Sequence, residues 1–214
     1  MDPRHLLLPN RPPGDTYIYN EVFRQEIYDR HYTLTPTDIV LDIGAHAGFF
    51  SWKAAQTARQ IFAFEPSPDN FKALETNTGQ FPHVRRHNFA LGSYEHTADL
   101  WLAPNNSGGH SLHKNLVNTH TDSCKVRVKR LDDTIALVTT ARVSFIKIDA
   151  EGAEAEIIKG GYGLISHDRP AMVIEIHNAQ LFVEVGELLT PLRYELIGAA
   201  SFIYCTILYA VPLD

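Results

Sequence analysis

The sequence predicts an α/β domain with a mainly parallel seven-stranded sheet, an antiparallel last strand and helices on both faces. Strand-like and helix-like segments alternate from residue 39 onward, which is typical of a parallel sheet covered by helices. The first strand runs directly into a tight glycine loop, Gly44-Ala-His-Ala-Gly48, and a helical segment follows. The last two strand-like segments have only a short connection, which suits antiparallel pairing and not a helical crossover.

The elements follow in order from a Pro- and Arg-rich start. Residues 1–34 are predicted as an N-terminal arm, with a helix from Tyr17 to Tyr32 over a ligand mouth, and residues 35–214 as the domain itself. We predict strands at 39–43, 61–65, 84–89, 143–148, 171–176, 193–198 and 203–210. We predict helices at about 48–58, 68–77, 131–138, 152–165 and 179–190.

Residues 95–128 interrupt this alternation. The segments Thr97–Leu102 and Cys124–Val128 predict an extra hairpin, and a polar loop from residue 104 to 120 joins them. A long polar loop inside a compact domain is usually functional or disordered.

Composition excludes several classes of protein. The 214 residues suit one domain, and the net charge of −6 makes nucleic acid an improbable partner. The basic stretch Lys125–Arg130 alternates with apolar residues and is better explained as a strand with a solvated face. Two distant cysteines form no metal motif, and no apolar run is long enough to span a membrane. We therefore expect a cytoplasmic protein with no signal peptide; the oligomeric state stays open.

The glycine loop predicts a site for a nucleotide-like ligand. The first glycine allows a sharp turn after the strand and the second allows close approach of the backbone. Asp42 places a negative charge at this mouth, which suits the cationic methionine end of S-adenosylmethionine better than a phosphate. Glu65 ends the second strand about 20 residues after the loop, where an acid accepts hydrogen bonds from ribose hydroxyls. NAD is the alternative ligand, but the loop lacks the third glycine of the dinucleotide fingerprint.

Acidic residues also follow the strand at 143–148. Lys147 lies within this buried strand and needs a partner or a function. Asp149 lies at the carboxyl edge of the sheet, where open α/β sheets bind ligands. Glu151 and Glu154 flank the start of the next helix, where a negative charge is favourable in any case.

A third polar group ends the strand at 171–176. Glu175 and His177 alternate on one face, and Asn178 follows. With Asp149 on the neighbouring strand, His177 and Asn178 are candidate ligands for Mg²⁺ or Mn²⁺. The alternative is a metal-free site in which His177 is the general base. The other histidines follow no ligand spacing, which argues against zinc.

Together these motifs resemble the FkbM family of S-adenosylmethionine-dependent methyltransferases, which implies the class I methyltransferase fold. The similarity covers roughly residues 35–180, and the matching segments are Val40–Ser51, Phe64–Pro68, Asn88–Gly92, Ser107–Leu112 and Ile146–Gly160. The Lys-x-Asp-x-Glu-Gly-x-Glu block that begins at Lys147 is the most specific of them. His46 stands where the family often has Asn.

The resemblance also implies a role for each matching residue. The residues expected around the methionine part of the cofactor are Asp42, Gly44, His46, Gly48 and Ser51, with Glu65 on the ribose. Asn88 and the backbone at Phe89 are expected around the adenine, Pro66 elsewhere along the cofactor, and Asp149 at the sulfonium. Those expected toward the acceptor are Lys147, Glu151, Glu175 and His177, with Ser107, His110 and Ser111 in a segment that closes over it.

The function expected from the sequence is methyl transfer to a hydroxyl of a small molecule, sugar or natural product. One alternative is an NAD-dependent oxidoreductase. The other is a cofactor-binding protein without catalytic activity, although Asp149, Glu151 and His177 are all present.

Overall fold

The computed structural model describes residues 3–6, 11–12, 14–117, 122–201 and 205–213. The strands are β1 Ile39–Ile43, β2 Gln60–Phe64, β3 Val84–His87, β4 Ala90–Gly92, β5 His96–Trp101, β6 Ser123–Arg130, β7 Phe145–Ile148, β8 Ala171–Ile176, β9 Tyr194–Ser201 and β10 Thr206–Pro212. The α-helices are α1 Gly14–Asn20, α2 Phe49–Ala54, α3 Pro68–Thr78, α4 Leu131–Val138, α5 Glu154–Gly160, α6 Tyr162–Asp168 and α7 Ala179–Leu189. Within the described ranges, each helix is too short or too polar to cross a membrane.

The main sheet has seven strands in the order β3-β2-β1-β7-β8-β10-β9. Neighbouring strands from β3 to β8 are parallel, and β10 runs antiparallel to both β8 and β9. All five residues of β1 are buried because the strand lies at the centre of the sheet with helices on both faces. The predicted fold class, including the antiparallel last strand, is confirmed.

The hydrophobic core lies on both faces of this sheet. Leu41 and Ile43 of β1 belong to one cluster with residues of α5 and α7, whereas Val40 belongs to a second cluster with residues of α2 and α3. This division follows from the strand itself, since successive side chains point to opposite faces. Packing of the two clusters on opposite faces fixes the position of β1 and of the glycine loop that follows it.

A second, three-stranded sheet has the order β4-β6-β5. Its antiparallel β5–β6 pair is the predicted hairpin, and β4 adds a parallel strand that the sequence did not indicate. The predicted strand 84–89 corresponds to β3, which ends at His87, and β4 begins at Ala90, beyond the predicted span. At the break, the side chain of Asn88 donates to the backbone oxygens of Glu65 (2.9 Å) and Pro66 (3.1 Å), which turns the chain out of the main sheet.

The N-terminal helix is shorter than the predicted span 17–32. The α1 helix continues as a π-helical turn, Glu21–Gln25, and then stops because Glu26 takes a left-handed conformation with φ of 51°. Tyr19, Val22 and Tyr28 pack in the same hydrophobic cluster as α2. The described part of the arm is therefore part of the domain core.

The predicted helix 152–165 is two helices, α5 and α6. A Cβ on Gly160 would lie 1.9 Å from the backbone oxygen of Gly92, so α5 ends in close contact with the end of β4. Gly161, with φ of −108° and ψ of 14°, departs from helical geometry and precedes α6.

Candidate functional site

A cavity of about 770 Å³ lies at the carboxyl ends of β1, β2, β7 and β8. Open α/β sheets bind their ligands at this edge, and the volume is in the range of small-molecule sites. The residues on its wall include Glu21, Gly44, His46, Glu65, Pro66, Phe89, Ser107, His110, Asp149, Glu151, Glu175 and Cys205.

The glycine loop forms one side of this cavity. Gly44 has φ of +73°, and a Cβ there would lie 1.7 Å from the backbone oxygen of Asp149. Gly48 has φ of +83° and packs against Leu74 of α3. Both positions require glycine, as the sequence predicts, although Gly48 lies away from the cavity wall.

Glu65 is held in a fixed orientation beside the loop. Its Oε2 accepts a hydrogen bond from the backbone N–H of His46 (2.8 Å), and its Oε1 accepts from that of Ser67 (2.9 Å). Burial raises the pKa of Glu65 to about 7, although these two hydrogen bonds oppose the shift. Its carboxylate lies on the cavity wall and has acceptor positions beyond these two bonds, which the predicted ribose contact requires.

Asp42 lies beneath the glycine loop and not at the mouth of the cavity. It is fully buried, and Ser51 Oγ donates to its Oδ2 (2.6 Å). Lys147 Nζ lies 3.5 Å from Asp42 Oδ1 and 3.3 Å from Asp149 Oδ2, and it donates to the backbone oxygen of Gly44 (2.7 Å). Asp42, Ser51 and Lys147 therefore support the loop from below. This differs from the expected direct contacts, because β1 and β7 are buried on both faces.

The charge on Lys147 is maintained by its neighbours. Burial lowers its pKa, but the carboxylates of Asp149 and Asp42 outweigh burial and raise the pKa above its ordinary value. The buried lysine thus has the partner that the sequence requires.

Glu175 and Glu21 of the N-terminal segment line the far end of the cavity, and Tyr28 contacts Glu175 without lining the cavity itself. Tyr28 Oη donates to Glu175 Oε2 (3.2 Å) and lies 3.5 Å from Asp149 Oδ2. Burial and the charge of Asp149 raise the pKa of Glu175 to about 8 and that of Glu21 to about 7. Neither Tyr28 nor Glu21 belongs to a motif. The one sequence signal for their position was the helix predicted from Tyr17 to Tyr32 over the ligand mouth.

His177 is surrounded by carboxylates. Its Nε2 lies 3.4 Å from Glu151 Oε2 and 4.0 Å from Asp149 Oδ1, and its Nδ1 lies 3.2 Å from Glu154 Oε1. Burial lowers the pKa of His177, but Glu151 and Glu154 outweigh burial and raise the pKa to about 12. An imidazolium has no lone pair with which to take a proton, which argues against the expected role as a general base.

Asn178 has a structural role instead of the predicted metal-ligand role. Its Oδ1 accepts from the backbone N–H of Leu181 (2.9 Å) and caps α7. Glu151 takes its place beside the other two candidates: ligand atoms of Asp149, Glu151 and His177 lie within 4.8 Å of one another. Glu154 accepts from the backbone N–H groups of Ala150 and Gly152, as expected for an acid at a helix start.

The polar loop is fastened over the cavity. Ser107 Oγ donates to Asp15 Oδ1 (2.6 Å) and lies 2.9 Å from Nε2 of His46, whose pKa burial lowers to about 3. Arg11 Nε donates to Oδ2 of the same Asp15 (2.8 Å). Ser111 Oγ donates to the backbone oxygen of Glu151 (2.6 Å) and lies off the cavity wall. Residues 118–120 of the predicted loop lie outside the described residues.

Pro66 and the two residues expected around the adenine differ in position. Pro66 and Phe89 lie on the cavity wall, whereas the exposed Asn88 acts through the backbone turn described above. His110 also lies on the wall; its Nδ1 accepts from the backbone N–H of Ala103 (3.0 Å), and burial lowers its pKa.

Solved structures share this fold. A methyltransferase FkbM from Methylobacillus flagellatus KT superposes with a TM-score of 0.63 at 18% identity, over 90% of this chain and 47% of that chain. A fibrillarin from Aeropyrum pernix with natively bound S-adenosyl-L-methionine superposes with a TM-score of 0.55 at 10% identity, over 92% of this chain and 74% of that one.

Curated relatives match more strongly in sequence. The "Methyltransferase 1" of Beauveria bassiana is 28% identical over 67% of this chain and 66% of its own length, and the hexuronic acid methyltransferase AglP of Haloferax volcanii is 29% identical over 65% and 54%. The 31-O-demethyl-FK506 methyltransferase FkbM of Streptomyces tacrolimicus is 28% identical over 83% and 79%. The AMB antimetabolite synthetase AmbE of Pseudomonas aeruginosa matches over only 9% of its length, so this chain spans less than two thirds of several relatives. The methyltransferase FkbM domain model matches residues 42–196, and the chain belongs to the FkbM methyltransferase family.

Proposed function

We propose that this protein transfers a methyl group from S-adenosylmethionine to a hydroxyl of a small molecule, sugar or natural product. The observation that carries the proposal is Glu65, which two backbone N–H groups fix beside the glycine loop on the wall of the cavity. Relatives whose names state an oxygen as the methylation site support the same reaction type, among them a 2-O-methyltransferase NoeI of Sinorhizobium fredii.

The cavity residues fit this cofactor, which supplies an activated methyl group on a sulfonium when bound. Glu65 offers carboxylate oxygens to the two ribose hydroxyls. Pro66 and Phe89 provide apolar surface for the adenine, and Gly44 and His46 bring backbone toward the methionine part. Asp149 is the carboxylate that faces the positive charge of the donor.

The far end of the cavity would position the acceptor and take its proton. The chain contributes alignment, because the hydroxyl oxygen, the methyl carbon and the sulfur must lie in line. We propose Glu175 as the proton acceptor, since it lies on the cavity wall and its pKa of about 8 is close to a working pH. Tyr28 orients it through the hydrogen bond to Oε2.

A divalent ion is the second candidate for activating the hydroxyl. Asp149, Glu151 and His177 have the spacing and the ligand types to hold Mg²⁺ or Mn²⁺, which would lower the pKa of a bound hydroxyl. The geometry around His177 favours a proton over an ion, because Glu151 and Glu154 hold the imidazole in its charged form. We therefore propose a metal-free site. Transfer that stops in excess EDTA and resumes with Mg²⁺ would reverse that choice.

Turnover tests the proposal directly. Cell extract is incubated with labelled S-adenosylmethionine and the purified protein, and labelled small molecules are separated. The expected result is an enzyme-dependent methylated product that alkaline treatment, which cleaves esters, leaves intact. Binding of S-adenosylhomocysteine with no product in any extract would favour the catalytically inactive alternative, and binding of NAD in its place would favour the oxidoreductase.

A further inference from the structure

The backbone of His46 takes a conformation that costs free energy for most residue types. Its φ of 51° lies in the left-handed region, which glycine adopts freely and asparagine tolerates. Such a conformation persists where the surrounding contacts determine it, and it often marks a functional position. Here the backbone N–H of His46 donates to Oε2 of Glu65 (2.8 Å), the carboxylate proposed to bind the ribose. The backbone of His46 therefore belongs to the donor side of the cavity.

The imidazole of His46 connects this donor side to two other segments of the chain. Its Nε2 lies 2.9 Å from Ser107 Oγ in the polar loop and 3.2 Å from Nη2 of Arg11 in the N-terminal segment. Asp15 completes the cluster, because Ser107 Oγ donates to its Oδ1 (2.6 Å) and Arg11 Nε donates to its Oδ2 (2.8 Å). His46, Ser107 and Asp15 are buried. Water therefore competes little with these polar contacts.

The two segments that the cluster holds form a lid on the cavity, which we define as residues 14–18 and 105–110. Both segments contribute to the cavity wall. Ser107 and His110 of the lid also line a second cavity, of about 740 Å³, beside α3. Asn70 at the start of α3 adds one more polar contact, from its Nδ2 to the backbone oxygen of Ser107 (2.8 Å). With a cavity on each side, the lid can open when a few hydrogen bonds break, at a lower free energy than unfolding of the domain requires.

We propose that His46 is a positioning residue that fastens this lid over the donor side, and that the lid opens for S-adenosylmethionine to enter and for S-adenosylhomocysteine to leave. The inference rests on the proposed methyl transfer, since it concerns exchange of the methyl donor. The contacts of the imidazole are made to the lid and not to the donor. Weakening them should therefore raise the association rate and the dissociation rate together and leave the affinity nearly constant.

The variant His46→Asn separates the two roles of this residue. Asparagine tolerates the left-handed conformation and keeps the backbone N–H for Glu65, but its side chain is too short to keep the contacts to Ser107 and Arg11. We expect both rate constants for S-adenosylhomocysteine, measured by surface plasmon resonance, to rise about fivefold or more, as for loss of about one hydrogen bond, while Kd changes less than about threefold. Unchanged rates would overturn the inference. So would an affinity loss carried by dissociation alone, which would mean that the imidazole contacts the donor directly.

Two further variants make the test specific. Ser107→Ala breaks the same cluster from the lid side, should also raise both rates, and keeps the test decisive if His46→Asn does not fold. The double variant should exchange S-adenosylhomocysteine within about twofold of the rates of Ser107→Ala, because both substitutions remove one shared contact. Ser93→Ala, which removes a serine hydrogen bond to Glu156 away from the cavity wall, is the control and should change neither rate.

The remaining outcomes separate the lid from the proposed function. Effects that multiply in the double variant, or an equal effect of Ser93→Ala, would overturn the shared contact at His46. Absence of S-adenosylhomocysteine binding to the wild-type protein would contradict the proposed function itself. Binding at rates that His46→Asn and Ser107→Ala leave unchanged would contradict the lid alone.

Discussion

At the scale of single residues, Lys147 connects the buried core to the cavity. It lies between Asp42, which is fully buried, and Asp149, which lies on the cavity wall. Its ammonium is the one cation within ion-pair distance of Asp42 among the described residues. The lysine therefore offsets the free-energy cost of burying the Asp42 carboxylate directly under the glycine loop.

Replacing Lys147 by methionine should destabilise the fold. The variant leaves Asp42 as an unpaired buried charge, for which we expect a loss of roughly 3 kcal/mol in the free energy of unfolding. Urea denaturation followed by circular dichroism measures it. Lys159→Met, at an exposed position with a surface ion pair, is the control and should change stability by less than about 0.5 kcal/mol. If Asp42→Asn added to Lys147→Met restored none of the loss, the proposed pairing would be wrong.

The pH dependence of turnover should identify the proton acceptor. Because burial and Asp149 raise the pKa of Glu175 to about 8, Glu175 is protonated below that pH, and turnover should rise as the pH passes through about 8. Glu175→Gln should lower kcat by roughly 10²-fold or more and abolish this rise. The control is His177→Gln, in which the rise near pH 8 should persist. A midpoint near pH 6.5 in the wild-type protein would instead point to an unperturbed histidine.

The site residues differ in how far the sequence could predict them. Glu65 was predictable because its distance from the glycine loop is fixed by one βα unit. Asp42 was placed at the right strand position but on the wrong side of the loop, since a single sequence does not show which way a strand-end side chain points. Tyr28 and Glu21 come from a segment without a motif, and tertiary packing alone brings Glu21 to the cavity wall and Tyr28 to Glu175.

At the scale of elements, the polar loop depends on contacts with the N-terminal helix. The sequence indicated only a long polar loop, functional or disordered; in the structure, Ser107 and Ser111 of this loop are buried and hydrogen-bonded to Asp15 and to the backbone of Glu151. These anchors are polar and distant in sequence, so hydrophobic periodicity could not indicate them.

Loss of one anchor should loosen the loop without unfolding the domain. Ser107→Ala removes the contacts to Asp15 and His46, and we expect amide hydrogen exchange at residues 105–110 to accelerate about tenfold or more, corresponding to the loss of about one hydrogen bond or more. Exchange in β7 should remain unchanged and provides the internal control. Acceleration of equal size in β7 would mean that the substitution destabilises the whole domain, and no acceleration would show that the anchor contributes little.

Element boundaries show where sequence patterns fail. The strands of the main sheet were predictable from their apolar runs, as β1 and β8 illustrate. The break at Asn88 and the division of the helix at Gly160 were not, because the first depends on hydrogen bonds from Asn88 to the backbone after β2 and the second on close contact between β4 and α5. Such contacts are long-range in sequence and leave no local pattern.

At the scale of the whole molecule, the acidic cavity should make stability depend on pH. The pKa values of Glu65 and Glu175 are raised by burial to about 7 and about 8, so the folded state binds protons that the unfolded state releases near pH 4.5. His177 also binds a proton more tightly in the folded state, because Glu151 and Glu154 outweigh burial and raise its pKa. The stability that these groups contribute is fully present below the pKa values that they have in the unfolded state. It is lost as the pH rises through the higher pKa values that they have in the folded state.

Without ligand, the free energy of unfolding should therefore fall between pH 6.5 and pH 8. We expect a fall on the order of 1 kcal/mol per pH unit, measured by urea denaturation at constant ionic strength. Glu65→Gln, which cannot ionise, should reduce this slope, whereas Glu95→Gln on the surface should not. Stability that is constant or rising over this interval would contradict the assignment of raised carboxyl pKa values.

The central claim is that this cavity binds S-adenosylmethionine with Glu65 on the ribose. Calorimetric titration of S-adenosylhomocysteine and of NAD into the wild-type protein and Glu65→Ala tests it most directly, with circular dichroism to verify the fold. We expect one S-adenosylhomocysteine per chain, no binding of NAD, and a loss of roughly 1.5–3 kcal/mol of binding free energy in the variant. Unchanged affinity in a folded Glu65→Ala protein, or binding of NAD in place of S-adenosylhomocysteine, would contradict the account.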